Sequence, residues 1–320
     1  MSNLEMEINS LCHYLYKNYQ KYPHKQWLFA KQKENYEGHS YSDILSKSIA
    51  LYQTLQKKGI KKNDHVAIFS YNCIEWIIID YALMLLEAIS VPFYHGLVGS
   101  ELKNYIDCID IKYAFVQTIK HKQQLSSCLA ITNQFVPITV IKEGLDDLEA
   151  FISDELKNLD DIESYEQKIL AVNSDQVVTM MFSSGTSAKK SSPVQLTHRN
   201  ILTNINDIKE LFGTTFKPSD RLLSFLPMSH IFARTVDHYV SLVFCHSVYF
   251  IPSMDHLKKE LTQINPSILV FVPRVLEKIY NGIFSKATKK QKKIIEKALK
   301  YSQAYHDSKG LKKGLYAIGH

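Results

Sequence analysis

Apolar positions along the chain recur in two rhythms. Over residues 5–20, Leu11, Leu15 and Tyr19 return every four positions, the spacing of one helix face, and Pro23 ends the pattern. Residues 43–58 predict a second helix with Gly59 as its C-cap. Short apolar runs then take over: HVAIFS (65–70), ISVPFY (89–94) and YAFV (113–116) predict buried strands. Between them, residues 74–87 read as a helix with nearly every position apolar, and Ser100 is placed to cap a helix over 101–109. Residues 142–175 are acidic and lack a regular period, which predicts a surface connection between two halves. The alternation then resumes. VVTMMF (177–182) is a strand, VQLT a short strand, 199–212 a helix, RLLSFLP (221–227) a strand and 231–245 a helix. SVYFI (247–251), a helix over 255–264, SILVFV (267–272) and a helix from Val275 complete it, with Pro273 stopping the last strand. Strands alternating with helices imply βαβ units and an α/β fold of layered, parallel-rich sheets flanked by helices. The acidic connection divides it into a first βα subdomain, 1–175, and a second subdomain, 176–320.

Bulk composition narrows the class without deciding it. A chain of 320 residues with 45% apolar and 22% charged residues makes one large domain or two smaller ones. The net charge of +6 suits an anionic partner, but no nucleic-acid partner is expected, because the basic excess is local. KATKKQKKIIEKALK (286–300) holds seven lysines and one acid. It is either a solvated face with Ile294, Ala298 and Leu299 turned inward, or a peripheral contact with anionic lipid. Five scattered cysteines, none at metal-ligand or C-x-x-C spacing, point to reduced thiols, no metal centre and a cytoplasmic protein. The N-terminus has no basic, apolar leader pattern, and IIIDYALMLL and ILVFVP are too short to span a bilayer. At most, a peripheral place on the inner membrane face is expected.

The candidate chemistry starts at SSGTSAKKSSP (183–193), which follows directly on the strand VVTMMF. A buried strand ending in a Gly/Ser/Thr loop is a common phosphate site, since backbone N–H groups, hydroxyls and a lysine converge on the anion. A mobile polar linker has the same composition. The G-x-x-x-x-G-K-[ST] loop of the nucleotide triphosphatases does not fit, because Lys190 stands five positions after Gly185.

Residues 182–200, FSSGTSAKKSSPVQLTHRN, resemble the phosphate loop of the adenylate-forming superfamily, approximately [YF]-T-S-G-T-[ST]-G-x-P-K-G-V-x-L-[ST]-H-x-N. LPMSHIFART (226–235) is similar to that family's L-P-L-S-H-x-F-E-R, and VPRVLEKIY (272–280) to the V-P-R-x-x-E-K-I of its long-chain members. Upstream, residues 59–94 resemble the first conserved block, with an N-x-x-E-W helix and a V-P-x-Y strand. Four blocks in order over almost the whole chain make long-chain fatty acid–CoA ligases the nearest branch.

This resemblance implies two steps: a fatty acid carboxylate attacks the α-phosphate of ATP to give acyl-AMP and pyrophosphate, and the thiol of CoA then displaces AMP. ATP, Mg²⁺, CoA and a long-chain fatty acid are the implied ligands. Ser183, Ser184, Gly185, Thr186 and Ser187 would serve the pyrophosphate end, helped by Lys189 and Lys190. His230 matches the family histidine near the acyl-phosphate, implying packing and polar contact rather than proton transfer. Arg234 and Arg274 are expected to pair with carboxylates, and His198 to order the loop. Phe225, Phe232 and Phe271 are expected either to line an acyl tunnel or to be plain core.

The sequence also departs from the pattern. Ala188 replaces a loop glycine, the loop is one residue longer, and no lysine falls on the family position in either register. Ala233 stands for a glutamate, and Glu87-Ala88 stand where Gly-Ala is usual. The Y-G-x-T-E and T-G-D motifs, the hinge and the small C-terminal domain do not occur in these residues. The expectation is an incomplete N-terminal domain, inactive alone, for which a complementary C-terminal fragment is the partner. The alternative is a non-catalytic acyl- or nucleotide-binding or membrane-associated interaction module on the same scaffold.

Overall fold

A computed structural model describes residues 8–132, 136–142, 147–159, 161–182, 192–251 and 256–309. Two compact units divide the chain, Met1–Val270 and Phe271–His320.

In the first unit, α1 (Leu11–Lys21) begins where the Ser10 side chain accepts the His13 N–H. β1 (Gln26–Gln32) and β2 (Asn35–Ser40) form an antiparallel hairpin that turns at Lys33, whose φ is 54°. α2 (Tyr41–Lys57) follows at once, opened by a reciprocal capping box between Ser40 and Asp43 and closed by Gly59 at φ 85°. Then come β3 (His65–Phe69), α3 (Ile74–Leu86), β4 (Ile89–Phe93), α4 (Gly99–Ile106), β5 (Ile111–Val116), α5 (Ile119–Thr132) and β6 (Ile138–Val140). α6 (Leu148–Lys157), a 3-10 turn (Glu163–Tyr165) and α7 (Glu166–Leu170) lead to β7 (Val177–Phe182) and β8 (Pro193–Thr197). α8 (His198–Phe212) opens on a second capping box, Thr197 with Asn200. After β9 (Arg221–Ser224), residues 231–244 are helical, as α9 (Ile231–Ala233), a π-turned stretch (Arg234–Val240) and α10 (Ser241–Phe244). β10 (Ser247–Phe250), α11 (Leu257–Ile264) and β11 (Ile268–Leu269) complete the unit.

The strands make two sheets, ordered β11-β9-β10-β1-β2 and β6-β5-β3-β4-β7-β8. Each is parallel except for its last strand, which is antiparallel to its neighbour. Strands from either side of residue 175 enter both sheets. β3 explains its own apolar run: Val66 and Ile68 join one hydrophobic cluster, Ala67 and Phe69 another, so both of its faces are covered. α3 is apolar all round for the same reason; every residue but Glu75 is buried.

Several expectations need correction. Val98, not Ser100, stands at the N-cap of α4, and no side chain caps it. The stretch 142–175 is more than a connection: Leu148, Ile152, Ile162, Ile169 and Val172 pack into the main core. Its apolar contacts are spread over three short elements, so none shows a period. SILVFV forms a ladder only at Ile268–Leu269, and the strand in RLLSFLP ends at Ser224.

The second unit holds α12 (Pro273–Lys286), with proline in its first turn, and α13 (Lys289–Lys309), entered through a reciprocal Thr288–Gln291 cap. Ile294, Ala298 and Leu299, expected to face inward, are exposed on α13. No described helix is long and apolar enough to cross a membrane.

Candidate functional site

Ser183, Ser184, Gly185, Thr186, Ser187, Lys189 and Lys190 lie outside the described residues. Their frame is described. β7 ends at Phe182, β8 begins at Pro193, and these two residues pair. Ser90 pairs with Thr179, tying β7 to the parallel strand β4. The segment therefore leaves from the C-terminal end of a strand in a parallel sheet, where ligands of such sheets bind. Phe182 also packs on Tyr105, with ring centroids 4.0 Å apart.

His230 lies in the turn that leaves β9. It is exposed, its N–H donates to the Pro227 carbonyl, and its own carbonyl accepts the Arg234 N–H as the helix starts. Its ring sits 6.3 Å from that of Tyr94, which follows β4. Tyr94 in turn contacts His95 at 4.3 Å, and His95 stacks on Tyr71 at 3.9 Å. A ladder of rings from the C-terminal ends of β3 and β4 thus reaches His230. Burial, with His121 nearby, pushes His95 down to about 4, so that imidazole is neutral near pH 7. The His230 imidazole has no hydrogen-bond partner among the described residues, so nothing described orients it as a general base. The arrangement offers an apolar and polar packing surface.

Behind this turn is a buried polar hub. Arg234 is fully buried and reaches Asp80 on α3, with Nη1 donating to Thr179 Oγ1 at 2.8 Å and Nη2 to Ser90 Oγ at 3.0 Å. Tyr239 donates to the other Asp80 oxygen at 2.8 Å. Burial opposes the Arg234 charge, but Asp80 and Tyr239 more than offset it and hold its pKa above the ordinary value. The expected carboxylate pairing of Arg234 is thus present. Arg274 instead is exposed, with no ion pair among the described residues.

The Asn72 amide joins the two sheets. Its Nδ2 donates to Ser224 Oγ at 3.1 Å and to the Leu226 carbonyl at 2.7 Å, and its Oδ1 accepts the Met228 N–H at 3.0 Å. Ser224 passes the chain on, donating to Asp237 Oδ2 at 3.0 Å. Asp237 is buried and its Oδ1 has no described partner; burial pushes its carboxyl up to about 8, although the Ser224 bond works the other way. Asn72, Asp80, Ser224 and Asp237 escaped the sequence reading. Asn72 lies within the matched N-x-x-E-W block, but its partners are more than 150 positions away, which no local pattern reveals.

His198 is buried, and its Nδ1 accepts the Leu11 N–H at 3.3 Å. Burial, then the nearby His13 and Arg234, pushes it down to about 3. Its described partner is thus α1. Phe232 is exposed; Phe225 and Phe271 are half-buried. Among the described residues no group of three His, Cys, Asp or Glu is arranged to hold a metal ion.

Comparison with known proteins gives three kinds of match. A family model described as "AMP-binding enzyme" matches residues 15–318. Long chain acyl-CoA synthetase 5 of Arabidopsis thaliana is 25% identical over 88% of this chain and 45% of its own length. The long-chain-fatty-acid–CoA ligase FadD15 of Mycobacterium bovis is 28% identical over 70% of this chain and 37% of its own length. The chain thus spans less than half the length of these curated relatives. Among solved structures, a long-chain-fatty-acid–CoA ligase of Archaeoglobus fulgidus superposes with a TM-score of 0.73 at 17% identity, covering 88% of this chain and 54% of that one. MatB of Rhodopseudomonas palustris, solved with ATP bound, gives 0.65 at 19% identity, covering 82% of this chain and 49% of that one.

Proposed function

The chain belongs to the family of AMP-binding enzymes, and from that premise we propose that it supplies part of an AMP-forming long-chain fatty acid–CoA ligase. The reaction joins a fatty acid to CoA and converts ATP to AMP and pyrophosphate. The observation that carries this reading is that the curated relatives are named long-chain acyl-CoA synthetases and ligases. In it, Ser183, Ser184, Gly185, Thr186 and Ser187 hold the pyrophosphate end of ATP, and Lys189 or Lys190 replaces the displaced loop lysine. The physical demand is to bring a carboxylate onto a phosphate, so donors and positive charge must be in place before the anions meet. His230 packs beside the adenylate.

The reading includes two further partners. Because the chain spans 45% and 37% of two curated relatives, turnover needs the portion those relatives carry in addition. Peripheral contact with anionic lipid runs through 286–300, where Ile294 and Leu299 are exposed among lysines.

Palmitate-dependent exchange of labelled pyrophosphate into ATP tests the reading. The isolated chain is expected to be silent, and exchange to appear when the complementary portion is joined to it. Exchange by the isolated chain would refute the need for a complement. No exchange in the joined, folded protein would refute the ligase reading.

A further inference from the structure

We propose that Asn72 is the positioning residue for His230, holding the turn that carries it against the C-terminal end of the second sheet. This rests on the reading above only in giving His230 a place beside the reacting groups.

Residues 225–230 leave β9 without a strand partner, so their backbone groups need other bonds. Two are met by one side chain from the other sheet: the Leu226 carbonyl accepts from Asn72 Nδ2, and the Met228 N–H donates to Asn72 Oδ1. A primary amide is suited to this, since it donates and accepts at once. Asp would lose the donor, Leu both functions. The third contact, to Ser224 Oγ, fixes the start of the turn, and Ser224 in turn donates to Asp237 beyond its end. The segment from Ser224 to Asp237 is therefore held at its root, its middle and its far side, while Leu226 and Met228 are buried beneath it. His230 is exposed where this turn meets the helix, with Ile231 and Phe232 exposed after it. The His230 N–H bonds to Pro227, between the two residues whose backbone Asn72 holds, so a shift of the turn moves the imidazole with it. Asn72 touches no reacting group in this account; it acts through the turn.

The test reads His230 directly. In the chain labelled with ¹³C-histidine, the His230 Cε1–H signal is identified by its loss in His230→Gln. Asn72→Ala is expected to move that signal, while the His39 and His65 signals stay in place. Ser224→Ala, which removes the bond from Asn72 and the bond to Asp237 but leaves the two backbone bonds, is expected to cause a smaller shift in the same direction and serves if Asn72→Ala does not fold. An unmoved His230 signal in a folded Asn72→Ala chain, or in Ser224→Ala where only that variant folds, overturns the proposal. This readout needs no ligase activity, so the two proposals fail separately.

Discussion

Arg234 and Asp80 are opposite charges with no exposed surface, one on the π-turned stretch and the other on α3. Taking away one partner leaves the other as a buried, uncompensated charge, which costs roughly 3–5 kcal/mol. Asp80→Ala is therefore expected to lower stability by that amount in urea unfolding, and the pair Asp80→Leu with Arg234→Met by much less. Glu87 carries a different tension. It closes α3 at φ 58°, a left-handed conformation that glycine adopts without strain. Its side chain gives a reason for its presence: the carboxylate pairs with both Lys62 and Lys168, tying the α3–β4 corner to α7. Partial burial raises its pKa, but the two lysines outweigh that and hold it below its ordinary value of 4.5. Its contribution to stability is thus present above pH 4.5 and lost as pH falls through the lower, folded value. Glu87→Gly is expected to remove that part of the acid sensitivity while relieving backbone strain, which stability curves measured from pH 6 down to about 3 will show.

The stretch Arg234–Val240 is wound in π-turns, and such turns are frequent at functional sites. It points Arg234, Asp237, His238 and Tyr239 into the core together. Asp237 binds its proton more tightly folded than unfolded, since burial lifts it to about 8 from the ordinary 3.8. That contribution is complete below about pH 4 and declines as pH rises through about 8. Asp237→Asn keeps an acceptor for Ser224, so its stability should fall less steeply between those limits in denaturant titrations. No residue type encodes a π-turn, so a helix over 231–245 was legible in the sequence and its winding was not. β3, β4, β7 and α3 were legible because burial on both faces writes itself as an apolar run. The β1–β2 hairpin was not, because its second strand, NYEGHS, mixes polar and aromatic residues without alternation. The hub was hidden for another reason: Asp80 and Arg234 are 154 positions apart, and only the packing of two sheets brings them together.

Across the whole molecule, chemistry and charge are divided between two units. The first carries the frame of the candidate cradle and the turn of His230, and the second carries the lysine-rich α13. If α13 meets anionic lipid, the chain should sediment with phosphatidylserine vesicles at low salt, release as salt rises, and fail to bind after Lys292→Glu with Lys293→Glu. Equal binding to neutral vesicles would argue against a charge-led contact. The pairing of Phe182 with Pro193 has a wider consequence for the segment between them. With both ends anchored, one added residue changes the entropy of closing a loop of this size by only about 0.1 kcal/mol. The closure term therefore places almost no selection on the number of residues between the anchors. A lineage can lengthen or shorten that segment by one position at almost no entropic cost of closure, so a melting temperature reports poorly on its length.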